Sequence, residues 1–252
     1  MARSADPGRS PARALVLAGV AVLGGASLTG CVSTQTKSIR SKVVVDRTLL
    51  SRRAVTVVRA DPRVEVRDVS VLRRDGLVAA VVVRLRNRGT APLNDLPIAV
   101  GVRTPQGRRV VLNARPSLPY WQTHAPAAAP RGIATWVYVL PRARRLRGTA
   151  FAVVGPAERP PTRAGTVPRI DVVTRGAASA GAVPVAVRSH TDVPQYGLEL
   201  YAVARRGGRV VAVGRLPLDH LGSDASARAS IPLIGDARGA VVRVVTAPTL
   251  FS

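Results

Sequence analysis

Residues 81–102 run Val-Val-Val-Arg-Leu-Arg-Asn-Arg-Gly-Thr-Ala-Pro-Leu-Asn-Asp-Leu-Pro-Ile-Ala-Val-Gly-Val. Val81, Val83 and Leu85 alternate with Val82, Arg84 and Arg86, and after a polar turn Leu96, Ile98, Val100 and Val102 share one face. A period of two is what a strand with one buried side requires, since successive side chains point to opposite faces. The turn between, Asn87-Arg-Gly89, carries residues that tolerate tight backbone conformations. The same text returns downstream. Val183-Pro-Val-Ala-Val-Arg188 and Gly197-Leu-Glu-Leu-Tyr-Ala-Val203 repeat the pair, and a slide of 102 superposes Arg86 on Arg188 and Leu96 on Leu198. Gln106-Gly-Arg-Arg-Val-Val111 then matches Gly207-Gly-Arg-Val-Val211, and Arg147–Val154 matches Arg238–Val245 at a smaller offset. Four matches in one order indicate a duplicated unit of about a hundred residues.

The rest of the composition agrees with strands. Aromatics are 3% of 252 residues, and the apolar content is mostly Val, Ala and Leu, of which valine suits a pleated surface. Twenty Pro and 22 Gly punctuate the chain, with turn signals such as Pro105-Gln-Gly107 and Arg206-Gly-Gly208. No sustained helical spacing follows residue 30. The expectation is an all-β protein: two tandem immunoglobulin-like β-sandwiches over 55–156 and 169–252, joined by a proline-rich linker at 157–168.

The N-terminus reads as an export signal. Arg3, Arg9 and Arg13 precede an apolar stretch, Ala14–Ala26, too short to span a bilayer. It ends in Leu28-Thr29-Gly30-Cys31, which resembles the lipobox of bacterial lipoproteins; Cys31 is also the chain's one cysteine. The resemblance implies removal of residues 1–30, a lipid on the Cys31 thiol, and a mature protein held by its acyl chains on the outer face of the cell membrane. Residues 31–54 then read as lipidated terminus and polar tether. The valine-rich strand followed by Arg86-Asn-Arg-Gly-Thr-Ala-Pro-Leu93 and a second apolar strand is similar to the bacterial adhesion-related immunoglobulin-like domains called CARDB. The second copy has Arg188-Ser-His-Thr-Asp-Val-Pro194 at that turn, without Asn or Gly. These resemblances imply a fold and a location and carry no chemistry.

Charge is the strongest compositional signal. Lys plus Arg number 38 against 14 Asp plus Glu, for a formal net charge of +24, and only Lys37 and Lys42 are lysines. Arginine in place of lysine points to a GC-rich, actinobacterial source, whereas the shortage of acids points to an anionic envelope lipid or glycan as partner. An envelope protein is the other expected partner; nucleic acid is not expected of an exported chain without stacking platforms. An enzyme is not expected either, since His124, His190 and His220 lie in expected loops and no Gly-x-Ser-x-Gly occurs. The sequence offers no cofactor motif and no calcium loop, and oligomeric state is not legible.

Two features of the first unit have no counterpart in the second. The long connection 113–130 carries Arg115, Tyr120, Trp121 and His124, a set suited to stacking on a sugar ring or a peptide proline. Arg142, Arg144, Arg145 and Arg147 crowd six residues and suit contact with an anionic surface. The expected role is therefore a non-catalytic structural or interaction lipoprotein, with ligand binding through the Tyr120–Trp121 connection as the alternative.

Overall fold

The computed structural model describes residues 34–51, 54–157, 167–176, 178 and 181–248. The expected signal peptide, Cys31 and residues 158–166 of the linker lie outside them. The described chain is all-β but for one helix and a single 3-10 turn, Tyr120–Gln122. Its elements are α1 (Thr34–Ser51), β1 (Val64–Arg74), β2 (Leu77–Asn87), β3 (Leu93–Arg103), β4 (Arg109–Val111), β5 (His124–Ala128), β6 (Ile133–Arg144) and β7 (Thr149–Val154), followed by β8 (Ile170–Thr174), β9 (Ala182–Ser189), β10 (Gln195–Arg206), β11 (Arg209–Leu221), β12 (Ser226–Gly235) and β13 (Val241–Ala247). All pairings are antiparallel.

Within residues 64–154, β1-β2-β6 form one sheet, while β4, β5 and β7 all pair with β3 in another. The stretch 81–102 is thus not a hairpin: its turn carries the chain from one sheet to the other. Residues 170–247 form a single run, β13-β10-β11-β12-β9-β8. There β12 pairs with β9 over Ser226–Pro232 and then with β11 over Leu233–Gly235, so one strand turns the corner between two sheets.

The ladders repeat between the halves of the chain. Arg86 faces Ile133 as Arg188 faces Ser226, and Val81 faces Tyr138 as Val183 faces Ile231. Likewise Ile98 faces Val154 as Leu200 faces Thr246. These last strands lie one residue out of step with the match on Arg147 and Arg238, and in a strand one residue exchanges the two faces.

Two expectations need correction. The tether over 31–54 is, from Thr34 to Ser51, an 18-residue helix. Its apolar seam is narrow, with Val43 buried and Val44, Val45 and Leu49 exposed. The strands at the centre, moreover, are buried on both sides. Val82, expected beside Arg84 on the solvent face, is 1% exposed. The reason is that the second half covers that face. On β10, Leu198, Leu200 and Ala202 enter a core with Val183, Val185, Val187 and Ile231. The alternate residues Tyr201 and Val203, with Val210 and Val213 of β11 and Ala247 of β13, join the cluster built on Val83, Leu85, Ile98, Val100, Trp136 and Tyr138. One strand therefore serves two cores. Each fully buried valine or leucine contributes about 1.5–3 kcal/mol, so this seam ranks with a domain interior. Arg205 adds a hydrogen bond of 2.7 Å to the Asp68 carboxylate and one of 3.2 Å to Ser70 Oγ.

Candidate functional site

The two sets of candidate residues meet different fates. In the first half, the strand that corresponds to β11 is interrupted after β4, and the chain returns as β5. The interruption would orphan backbone groups of β3, and Asn113 replaces the missing strand. Its Oδ1 accepts from Val100 N at 2.9 Å, while Nδ2 donates to Ile98 O at 2.7 Å and to Gln122 O at 3.0 Å. Thr123 O accepts from Ile98 N at 2.8 Å. With both ends pinned, the connection between them folds inward.

Tyr120 is buried, and its hydroxyl donates to the Asp95 carboxylate. One face of its ring stacks on His124, centroids 5.1 Å apart and planes within 2°, and the Arg47 guanidinium of α1 stands 5.0 Å from the ring centroid. His124 is itself buried, with Nδ1 2.8 Å from Thr123 Oγ1. Burial first, and then the Asp95 charge, pushes the Tyr120 phenol well above its ordinary range. Trp121 meets the Arg215 guanidinium of β11 at 3.7 Å from its ring centroid, and Arg215 forms a two-pronged ion pair with buried Glu199. These faces are occupied by the protein. The aromatic connection is a wedge between α1, the first half and the second, where Arg47 Nη1 also donates to Gly197 O at 2.8 Å.

Arg115 leaves that set and joins the other. It lines a pocket of about 410 Å³ with Arg142 and Arg144, over a floor of Leu112, Tyr138, Leu140 and Pro141. The ladder between β2 and β6 explains the opening: Ala80 pairs with Val139, but the next partner, Val78, pairs with Arg144. Residues 140–143 leave the ladder, and Pro141 among them has no N–H to give it. Tyr138 closes the floor by donating from its hydroxyl to Leu112 O at 3.0 Å. Its phenol is raised by burial, against which the charges of Arg115 and Arg144 pull downward. No carboxylate pairs with Arg115, Arg142 or Arg144 among the described residues. All five of these arginines are exposed, and Arg145 and Arg147 do not line the pocket.

The corresponding end of the second half is shut. Gly214 pairs with Leu233 and Ala212 with Gly235, and Ala204, Ala212 and Ala237 pack into a small apolar cluster. The strands run so close there that a Cβ on Gly235 would collide with the Val211 carbonyl. The join of Arg115 to Arg142 and Arg144 was invisible in the sequence, because a connection of unknown course separates them.

Elsewhere His190 Nε2 lies 2.8 Å from Asp171 Oδ2, and His220 stacks on Tyr196 with centroids 5.0 Å apart. Among the described residues no group of three or more His, Cys, Asp and Glu is placed to hold a metal, and no helix is long and apolar enough to cross a membrane. No family model matches the chain, and no curated protein matches it.

Proposed function

We propose that this chain is a lipid-anchored envelope lipoprotein, a non-catalytic module that displays two immunoglobulin-like sandwiches as one rigid body on the outer face of the cell membrane. The observation that carries the reading is the placement of α1. It begins three positions after Cys31 of Leu28-Thr29-Gly30-Cys31, and its second half docks through Val43 and Arg47 on the wedge between the halves. Residues 34–42, ahead of the docked part, rise about 14 Å, so the start of the helix is a spacer of defined length between an anchor and the sandwiches. The repeated ladders support a tandem immunoglobulin-like pair, and the buried Asn87 turn supports the likeness to CARDB domains. Partners of such a module are envelope proteins met by its edges and loops, and anionic envelope lipids or glycans attracted by its arginines.

Mass spectrometry of the protein from its native cells tests this. The expected product starts at Cys31 and carries a diacylglyceryl thioether, and Cys31→Ser releases the protein from the membrane fraction. A free thiol at position 31 with residues 1–30 still attached would overturn the reading.

A further inference from the structure

We infer that the pocket of Arg115, Arg142 and Arg144 is a binding site for a terminal phosphate, a phosphomonoester whose apolar or cyclic body lies on Leu112, Tyr138, Leu140 and Pro141. The charge comes first. Three guanidiniums from two separate segments, residue 115 and residues 142–144, converge on one opening with no carboxylate paired to them among the described residues. Like charges gathered in this way repel one another until an anion joins them. A guanidinium offers a planar fork that suits carboxylate and phosphate alike. Three forks exceed what the two oxygens of one carboxylate accept in good geometry, whereas a phosphomonoester presents three terminal oxygens and nearly two charges. The floor comes second. Tyr138 and Leu140 are core residues whose edges face the opening because residues 140–143 leave the ladder, and a bare inorganic ion would leave that surface uncovered. A volume of about 410 Å³ suits a small molecule or a headgroup rather than a protein segment. The second half, which repeats the same ladders, closes this end with Ala204, Ala212 and Ala237. The opening is therefore particular to the first half.

The site does not depend on lipidation, so its test is separate from that of the anchor. The probes are phenyl phosphate, inorganic phosphate and benzoate, titrated calorimetrically into the full chain carrying Cys31→Ser. Phenyl phosphate is expected to saturate one site and to bind more tightly than the other two. Each of R115Q, R142Q and R144Q is expected to weaken it by roughly tenfold or more, since each removes a charge-assisted pair. The control R86Q/R188Q/R228Q removes three exposed arginines elsewhere and is expected to leave binding unchanged, with circular dichroism verifying the fold of every variant. The source of the phosphate is read from phosphatidylcholine vesicles with and without phosphatidic acid. Capture that needs phosphatidic acid and is displaced by phenyl phosphate assigns a membrane headgroup, and phenyl phosphate binding without capture assigns a soluble ester. Equal losses in the pocket variants and the control, or benzoate binding as tightly as phenyl phosphate, would overturn the site.

Discussion

Asn87 shows how one side chain holds a turn between sheets. It is wholly buried, its Nδ2 donates to Ala91 O at 2.8 Å and Ala128 O at 3.2 Å, and its Oδ1 accepts from Gly89 N at 2.8 Å. Replacement by alanine removes the side-chain partner of three backbone groups, one of which, Ala128 O, is buried. Asn87→Ala is therefore expected to cost about 2–4 kcal/mol, read as a fall in denaturant midpoint at constant slope. A loss below roughly 0.5 kcal/mol would mean that water replaces the amide. The second half has Ser189 at this place, with its N–H bonded to Ala225 O as Asn87 N bonds to Gly132 O. The Asn-x-Gly turn was readable because two of its three bonds, to Gly89 and Ala91, lie within four residues. Asn113 was not, since its partners Ile98 and Val100 come from a different strand, and nothing local marks an asparagine that stands in for backbone. The Tyr120–Trp121 connection stays open to the alternative of a ligand platform for the same reason: its sequence does not show that His124 and Arg47 cover Tyr120 and that Arg215 covers Trp121.

At the scale of elements, strands were legible and the helix was not. The alternating stretches at 81–86, 96–102, 183–188 and 197–203 lie in β2, β3, β9 and β10, because a two-residue period survives whichever sheet the strand joins. Helix α1 has Val43, Val44 and Val45 in sequence, β-branched residues that lose rotamer freedom in a helix, and its first turn carries no acid and its last turn no base. Its stability must come from docking, which rests on Val43 and on Arg47 held between the Tyr120 ring and Gly197 O. Gly197 has φ of 57°, a region that suits glycine, and a Cβ there would strike the Arg47 guanidinium. Arg47→Ala and Gly197→Ala are accordingly expected to release the same element. Hydrogen exchange at the amides of residues 43–51 should rise at least about tenfold in each, the equivalent of roughly 1.4 kcal/mol, while β2 and β10 keep their protection. Unchanged exchange in the helix would show that Val43 alone holds it, and faster exchange throughout would show that the wedge supports both halves. The bulge in β6 belongs to this scale too. Its pocket is not legible in the sequence, since it depends on the course of the connection that brings Arg115 to Arg142 and Arg144.

For the whole molecule, the repeat was legible and the union of the repeats was not. Alternation tells which residues leave a sheet's inner face and is silent on whether the outer face meets water or another sheet. Tyr201, Val203, Val210 and Val213 belong by sequence to the second unit, and they are buried with Trp136 and Leu85 of the first. Arg205 and Asp68, each about a third exposed at the side chain, guide the register of this seam and contribute little energy through a screened pair. The halves should then behave as one cooperative body rather than as modules on a hinge. A protease site built into residues 158–166 tests this directly, because cleavage there removes the covalent joint and leaves the seam. The two pieces are expected to co-elute on size exclusion in buffer and to part only in denaturant. Tyr201→Ala empties a fully buried side chain from the seam, at a cost of several kcal/mol. It is expected to split the cleaved protein into two peaks without unfolding the core of Leu198, Leu200 and Ile231 on the opposite face of the sheet. Separation of the unmutated pieces in buffer would show instead that the linker, not the shared strand, unites the halves.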